Sequence, residues 1–220
     1  METWAALFER AGTFGVDEAE IRSALATRRE RKRASDGTGD GADDIVGDDA
    51  DVGDRDDDPS PDPPSDDPSP ARVVADADVL AADLLVGGDA RDALDGLRSH
   101  SWTTLVASDE LVADAQAVIA DLAESDLAAD WREKAEAWRD PVTQPSGDHP
   151  ALASAYRGGA MHVLSFDERL TAPGAGAGLT DRFPVSVRDP RAFAVLFDAE
   201  KLYPEVAAGE YPGPDSDPRA

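Results

Sequence analysis

The sequence contains no cysteine among its 220 residues. This absence excludes a disulfide framework, a zinc site built on thiolates and a cysteine nucleophile, and it is typical of a reducing compartment. No apolar run approaches the roughly 18–20 residues that span a bilayer, and the opening residues Met1–Trp4 do not begin a signal peptide. We therefore expect a cytoplasmic protein without a membrane segment.

Lysine is also scarce, since it occurs only at Lys32, Lys134 and Lys201. The chain has 47 acidic and 21 basic side chains, which gives a formal charge of −26 at pH 7. A surface of this charge repels itself at low ionic strength and is tolerated where salt screens the repulsion. The composition resembles that of proteins from halophilic archaea that accumulate salt. The net charge therefore reflects the solvent and does not exclude a nucleic acid as partner.

Bulky apolar residues are almost missing between residues 36 and 70. This segment carries fourteen aspartates, six prolines and a single arginine. It buries too little apolar surface to offset the entropy lost on folding, and its like charges repel one another. We predict a disordered acidic linker over 36–70, a helical segment over 1–35 before it, a folded domain over 71–200 and a loose tail over 201–220.

Two short helices are predicted before the linker. Apolar residues recur at helical spacing from Trp4 onward, and a capping-box pattern between Asp17 and Glu20 opens the second helix. These helices form too small a core to be secure alone, so we expect them to dock on the main domain or on a protein partner. The basic run Arg28–Arg33 at their end suits either RNA phosphates or the negative end of the helix dipole.

From Arg72 onward, short apolar strands alternate with amphipathic helices. The predicted strands are Val73–Ala75, Thr103–Ala107, Met161–Leu164 and Pro184–Val187. Helices with one apolar face separate them, and the pair Asp189 and Pro190 opens a final helix with a cap and an N1 proline. This alternation predicts an α/β fold, a three-layer α/β/α domain with a mainly parallel sheet.

Acidic side chains follow two of these strands. Asp76 and Asp78 come directly after the first strand, and Ser165 and Asp167 follow a later one. Ligands of an open parallel sheet bind at the carboxyl ends of the strands, so these carboxylates should converge if the strands are neighbours. Like charges that close resist joint ionisation unless a cation lies between them. Oxygen ligands without histidine or cysteine indicate Mg²⁺ or Mn²⁺.

Two further aspartates can join this group. Asp114 lies on the helix after the second strand, at the border of its buried face. Asp148 precedes a helix start, where the helix dipole favours an ionised carboxylate. Each residue alone has a simpler interpretation, Asp148 and Asp78 as caps and Asp114 as a surface residue. Only the group as a whole supports a site.

The order of these acids resembles that of a PIN domain. Val73–Leu80 and Ser108–Asp114 look like the first half of that family, and Asp148–Ala155 and Gly159–Asp167 look like the second half. The segment Val185–Phe193 is similar to the last strand and helix of the family. The resemblance covers about residues 72–198 and implies a PIN-like fold.

PIN domains are metal-dependent ribonucleases. The resemblance therefore implies that Mg²⁺ or Mn²⁺ activates a water that hydrolyses phosphodiester bonds of single-stranded RNA. It implies a catalytic set in which four aspartates hold the metal and a serine hydroxyl orients a ligand or a phosphate oxygen: Asp76, Asp114, Asp148, Asp167 and Ser165. The family often has glutamate where Asp114 stands, which makes Glu110, one turn earlier, a substitute candidate.

RNA is the expected partner, and a protein bound through the N-terminal helices and a homodimer are further predictions. No histidine base is required in this chemistry, so we interpret His149 and His162 as structural. Arginines after the later strands are candidate phosphate contacts: Arg157, Arg169, Arg182 and Arg188.

Two other functions fit the same residues. Asp76–Leu80 also fits the first motif of haloacid-dehalogenase-like phosphatases, in which the first aspartate is a nucleophile and the second an acid/base. That chemistry needs a downstream lysine, for which Lys134 is the candidate before the tail. The other alternative is a non-catalytic PIN-like scaffold that binds RNA or protein, because the N-terminal helices and the long spacer suit a tethered interaction module.

Overall fold

The structure is a computed structural model in which residues 2–36, 67–143, 149–171 and 184–220 are described. The greater part of the predicted acidic linker, residues 37–66, lies outside these ranges, as do Asp148 and Arg182. In the described part of the chain, no helix is both long and apolar enough to cross a membrane.

Two helices precede a region in which strands and helices alternate. In chain order the elements are α1 Trp4–Ala11, α2 Glu18–Asp36, β1 Ser69–Ala75, α3 Ala77–Leu85, α4 Gly88–Arg98, β2 Thr104–Ser108, α5 Asp109–Leu122, α6 Ser125–Trp138, β3 Asp140–Val142, α7 Pro150–Arg157, β4 Ala160–Leu164, α8 Glu168–Thr171, β5 Ser186–Arg188, α9 Pro190–Leu196 and α10 Ala199–Val206.

Five strands form one all-parallel sheet in the order β3-β2-β1-β4-β5. Val73 in the central strand pairs with Leu105 of β2 on one side and with His162 of β4 on the other. Helices flank the sheet, which confirms the predicted three-layer α/β/α fold with a parallel sheet. The strand order reverses between β1 and β4, and ligands of such sheets bind beside this switch point.

Glycines set the turn that leads from α7 into β4. A Cβ atom on Gly158 would overlap Cγ1 of Val106 and approach the Ser154 carbonyl oxygen to 3.2 Å. Gly159 has a φ of 62°, a left-handed conformation that favours glycine. The turn therefore lets the end of α7 pack closely against Val106 of β2 as the chain enters β4.

The first helix docks on the main domain, one of the two alternatives that the sequence leaves open. Trp4, Leu7 and Phe8 are buried, and α1 contacts α3 and α6. The Trp4 ring meets the Trp138 ring edge to face with 5.8 Å between centroids. The Arg98 guanidinium lies over the same indole, 4.3 Å from its centroid.

The second helix begins with the predicted capping box. The Glu20 N–H donates to the Asp17 carboxylate, and the Asp17 N–H donates to the Glu20 carboxylate, both at 2.9 Å. Ile21 and Leu25 are buried and fix the first half of α2, which contacts α3 and α5. Beyond Leu25, no apolar side chain of the described helix is buried.

The C-terminal segment differs from the loose tail that the sequence predicts. After α10 the chain crosses the domain, and the Tyr211 hydroxyl lies 2.6 Å from Nε2 of His100. The Asp215 carboxylate accepts the Ser101 N–H at 2.7 Å, and the Ala220 carbonyl accepts the Trp4 N–H at 3.3 Å. These partners are far away in the sequence, so no local pattern in the tail could have indicated them.

Candidate functional site

Two buried carboxylates lie at the carboxyl end of β1, beside the switch point of the sheet. Asp76 caps α3, and its carboxylate accepts the Ala77 N–H at 2.8 Å. The Asp78 carboxylate accepts the Val79 N–H at 2.7 Å. The exposed fractions of Asp76 and Asp78 are 0% and 2%. Buried carboxylates need hydrogen bonds and a positive charge to offset the loss of hydration.

Ser165 links the carboxyl ends of β1 and β4. Its buried hydroxyl donates to Oδ2 of Asp76 at 3.1 Å and lies 3.5 Å from Oδ2 of Asp78. The Phe166 N–H donates to the same Asp78 oxygen at 3.1 Å, and the Asp167 N–H donates to the Ser165 hydroxyl at 3.1 Å. The predicted residues Asp76 and Ser165 are therefore in direct contact.

Asp114 is buried on α5, with an exposed fraction of 3%. The simpler interpretation of this residue as a surface aspartate is therefore wrong, and its predicted place at the border of the buried face is the better description. Glu110, the substitute candidate, lies one turn earlier on the same helix and is partly exposed. Both acids lie on the side of α5 that α2 covers.

Three basic side chains of α2 contact the acids of this region. The Arg29 guanidinium donates to Oδ1 of Asp76 at 2.7 Å, and the Arg28 Nε–H donates to Oδ1 of Asp114 at 2.7 Å. Lys32 forms an ion pair with Glu110. Arg29 is the most deeply placed of the three, with 15% of its side chain exposed. The basic end of α2 thus contacts the protein's own acids, an outcome that the sequence analysis did not predict.

Burial and neighbouring charges shift the pKa values of Asp78 and Arg29. Burial raises the pKa of Asp78 well above the ordinary value, and the charge of Asp76 raises it further. Burial lowers the pKa of the Arg29 guanidinium, but the charges of Asp76, Asp78 and Asp114 outweigh this effect and raise it overall. The Asp76–Asp78 pair is therefore a place where a positive group is strongly favoured.

Asp167 lies beside the pair but is engaged by its neighbour in the chain. The exposed Arg169 side chain donates to both carboxylate oxygens of Asp167, at 3.0 Å and 2.7 Å. This hydrogen bonding, with a smaller contribution from the charge of Arg29, lowers the pKa of Asp167 below its ordinary value. Asp167 is therefore an ionised carboxylate at the rim of the site.

Asp148, the fourth predicted ligand, lies outside the described residues, but its neighbour His149 does not. His149 caps α7, and neither ring nitrogen has a hydrogen-bond partner among the described residues. Burial lowers the pKa of this imidazole, and the charges of Asp76, Arg29 and Asp167 act on it. His149, interpreted from sequence as structural, therefore lies within electrostatic reach of the acids.

A groove opens between α2 and the turn after β4. It is lined by the acids and by arginines from both sides: Arg22, Arg29, Arg33, Asp78, Asp167 and Arg169. The mixture of charges gives an anionic ligand basic contacts on its way to the buried carboxylates. Nearby Arg188 belongs to a different groove, beside α9 and α10.

The donor set fits a hard divalent cation by its chemistry. Its atoms are carboxylate and hydroxyl oxygens, which Mg²⁺ and Mn²⁺ prefer, and the buried Asp76–Asp78 pair already holds a cationic group, Arg29. In this conformation the carboxylates of Asp76, Asp114 and Asp167 accept hydrogen bonds from arginines. No three acids or histidines of the described ranges are gathered in a metal-binding arrangement.

The comparisons with known proteins give a family without a function. The model of DUF7384, described as a family of unknown function, matches residues 67–219. No curated protein and no solved structure matches the chain. The matched segment contains Asp76, Asp78, Asp114 and Asp167, while α1 and α2 precede it.

Proposed function

Since the chain belongs to the DUF7384 family of unknown function, we infer its activity from its own site and propose that it is a metal-dependent ribonuclease. It would hydrolyse phosphodiester bonds of single-stranded RNA at the carboxyl end of β1 and β4. The observation that carries the proposal is the buried Asp76–Asp78 pair, joined by Ser165 and occupied by a cationic group.

The position of the acids supports a ligand site. They lie at the switch point of a parallel sheet, where ligands of such folds bind. Strongly shifted pKa values, such as that of the buried Asp78, cluster at functional sites. The resemblance to PIN domains, in which the same order of acids holds metal, extends this argument to a nuclease.

The residues of the site would have distinct roles. Asp76 and Asp78 would hold the cation in the buried pair. Asp114, Asp167 at the rim and Asp148, which lies outside the described residues, would be the further ligands that the resemblance implies. When bound, Mg²⁺ or Mn²⁺ supplies a Lewis acid that lowers the pKa of water and neutralises the phosphate. Ser165 would orient the Asp76 carboxylate through its hydroxyl, which contacts Oδ2 of Asp76 and leaves Oδ1 as the oxygen that Arg29 contacts.

RNA would approach through the groove between α2 and the turn after β4. Arg22, Arg33 and Arg169 line it and supply the positive charge that an overall anionic protein needs for binding a polyanion. Arg169 has 78% of its side chain exposed and can contact a phosphate while still paired with Asp167. The cytoplasmic location predicted from the sequence stays a part of this proposal.

A cleavage assay tests the proposal. Labelled single-stranded RNA is incubated in molar KCl with Mn²⁺, or with chelator, and the full-length protein is compared with Asp76→Asn. The variant Arg29→Ala is assayed in parallel, because Arg29 contacts the carboxylate in question. We expect Mn²⁺-dependent cleavage that falls by at least about 100-fold in Asp76→Asn, since a ligand to the catalytic cation is lost.

Asp92→Asn is the matched control, because Asp92 is exposed on α4 and remote from these contacts. This variant should cleave like the unchanged protein. Cleavage that persists equally in chelator and in Asp76→Asn indicates a contaminant. If neither the unchanged protein nor Arg29→Ala cleaves RNA with Mn²⁺, the ribonuclease proposal is wrong.

The second candidate is a non-catalytic scaffold that binds RNA or protein. The observation that favours it is Arg29, which supplies the positive charge for Asp76 without any metal. A scaffold of this kind would bind RNA equally well with Mn²⁺ and with chelator and would leave it intact. The same assay, followed by gel-shift measurements on uncut RNA, separates the two functions.

A further inference from the structure

The three contacts between α2 and the acids differ in depth. Arg29 has a 2.7 Å contact with the buried Asp76, and its charge also acts on Asp78. Arg28 and Lys32 remain 38% and 46% exposed while they contact Asp114 and Glu110. The deepest cationic group of the helix is therefore placed at the carboxylates that are assigned above to a divalent cation.

We propose that the second half of α2 is an internal inhibitor of this site, in which the Arg29 guanidinium and a divalent cation compete for Asp76 and Asp78. The inference rests on the proposed function in one respect, that these carboxylates bind a divalent cation. The guanidinium and a divalent cation cannot both contact the same carboxylate oxygens, because two positive charges so close together repel each other strongly.

The geometry lets this inhibitor leave without unfolding the domain. Ile21 and Leu25 anchor the first half of α2, while the part after Leu25 buries no apolar side chain. Detaching the residues from Arg28 onward would therefore break ion pairs and expose little apolar surface. Local opening of this kind is less costly than global unfolding and is drawn from the weakly packed parts of a structure.

The family match includes the acids of the site but not the helix that covers them. The matched residues 67–219 contain the acids, and the helix that covers them lies before the match. The helix belongs to the same chain as the site, so inhibition would be independent of protein concentration. Displacement would then depend on Mn²⁺ and on salt, because two of the three ion pairs are partly exposed and are screened by ions.

Mn²⁺ binding measures the competition without any RNA. The full-length protein, Arg29→Ala and Arg31→Ala are titrated with Mn²⁺, and free Mn²⁺ is followed by electron paramagnetic resonance. We expect Arg29→Ala to lower the Kd by about tenfold or more, which corresponds to about 1.4 kcal/mol. Adding Asp76→Asn to Arg29→Ala should abolish the gain, because it removes the carboxylate for which both cations compete.

Arg31→Ala is the matched control. It removes the same charge from the same helix, but Arg31 is exposed and does not contact these acids in the described structure. Its Kd should equal that of the unchanged protein. If Arg29→Ala and Arg31→Ala change the Kd equally, the effect is a general one of net charge and the inhibitor model is overturned.

A second variant guards against loss of the fold. Arg29→Ala leaves two buried carboxylates without their cation, so circular dichroism is recorded with and without Mn²⁺. If this variant is unfolded without metal, the double variant with Arg28→Ala and Lys32→Ala decides, because both side chains are partly exposed. It should bind Mn²⁺ about threefold more tightly, and an unchanged Kd contradicts the inference.

The outcomes separate this inference from the ribonuclease proposal. Tighter Mn²⁺ binding by Arg29→Ala without any RNA cleavage supports the competition and refutes the nuclease. Cleavage at subsaturating Mn²⁺ that is equally fast in the unchanged protein and in Arg29→Ala, together with an unchanged Kd, supports the nuclease and refutes the inhibitor. Faster cleavage together with tighter binding supports both.

Discussion

The two N-terminal helices are attached to the same domain by different physics. α1 buries Trp4, Leu7 and Phe8, and its indole is stacked on Arg98, whose side chain is itself buried. The second half of α2 is held by basic side chains on acids, without a buried apolar residue after Leu25. The attachment of α1 depends mainly on apolar burial, with one partly exposed ion pair between Arg10 and Asp130 beside it. The attachment of the second half of α2 depends on charge.

This difference teaches which helix can serve as a moving part. Apolar burial is insensitive to screening and strengthens slightly in salts that are excluded from protein surfaces. Exposed ion pairs weaken as the Debye length falls to about 3 Å at 1 M salt. The attachment of α1 should therefore persist under all conditions in which the domain is folded, while that of α2 can be tuned by ions.

Removing the indole from α1 should have the largest effect on stability. Trp4→Ala removes ring contacts with Phe8 and Trp138 and the cation–π contact with Arg98. We expect the free energy of unfolding to fall by about 3–5 kcal/mol, as for other large-to-small core substitutions. Denaturant unfolding at fixed KCl measures it, with the exposed Leu196→Ala as a control that changes stability little. A loss no larger than that control would contradict the burial of α1.

The Arg98 side chain that contacts Trp4 of α1 belongs to a buried ion pair. This pair can be compared directly with the exposed pair between Lys32 of α2 and Glu110. Asp83 and Arg98 are both buried and form an ion pair, and Arg98 also contacts Asp95 at 2.8 Å. Asp83→Asn should lower the free energy of unfolding by about 3 kcal/mol, because the buried Arg98 charge then keeps Asp95 as its only carboxylate partner among the described residues. Denaturant unfolding of this variant beside the exposed Asp92→Asn checks the value.

The exposed pair should contribute far less. Glu110→Gln removes the partner of Lys32, whose side chain is 46% exposed. We expect a loss below about 1 kcal/mol in dilute salt, which becomes smaller still in molar KCl. Unfolding curves at both salt concentrations measure this change. An effect as large as that of Asp83→Asn would show that α2 is held as firmly as α1.

The fold could be predicted from the sequence because its pattern is local. Apolar strands and amphipathic helices alternate clearly enough to give the parallel three-layer architecture. The weakest element is β3, which has three residues and includes Pro141, and a proline is tolerated there because β3 lies at the edge of the sheet. The ordered tail was missed because its partners, such as His100, are distant in sequence.

The site could be predicted only in part, because some of its contacts join residues that are distant in the sequence. Asp76 and Ser165 follow strands, so the topology alone brings them together. The partner of the basic run Arg28–Arg33 depends on the direction in which α2 leaves its anchor, which Ile21 and Leu25 set by tertiary packing. Arg28, Arg29 and Lys32 share one side of a helix, and this spacing beside a group of acids is the signal that could have indicated the contact.

The smallest predicted effect concerns His162 in β4, away from α1 and α2. Its pH dependence is a reference against which the stability of the two helix attachments can be compared. His162 lies in β4 against the Phe193 ring, and burial lowers the pKa of its imidazole below the ordinary value, with a further contribution from Arg188. His162 and Arg188 line the groove beside α9 and α10, whose other charged side chains are Asp198, Lys201 and Glu205. The unfolded chain therefore takes up a proton at a higher pH than the folded chain does.

Stability contributed by the neutral His162 is complete above the ordinary pKa of about 6.5 and is lost as the pH falls below it. His162→Phe keeps the ring contact with Phe193 and removes the titration. Between pH 7.5 and 5.5 the unchanged protein should lose about 0.5 kcal/mol relative to this variant, a small value because the imidazole is partly exposed. Unfolding curves that run parallel over this range would exclude His162 as a titrating group. A loss that vanishes in His162→Phe but persists in Trp4→Ala and Glu110→Gln would separate the pH response of β4 from both helix attachments.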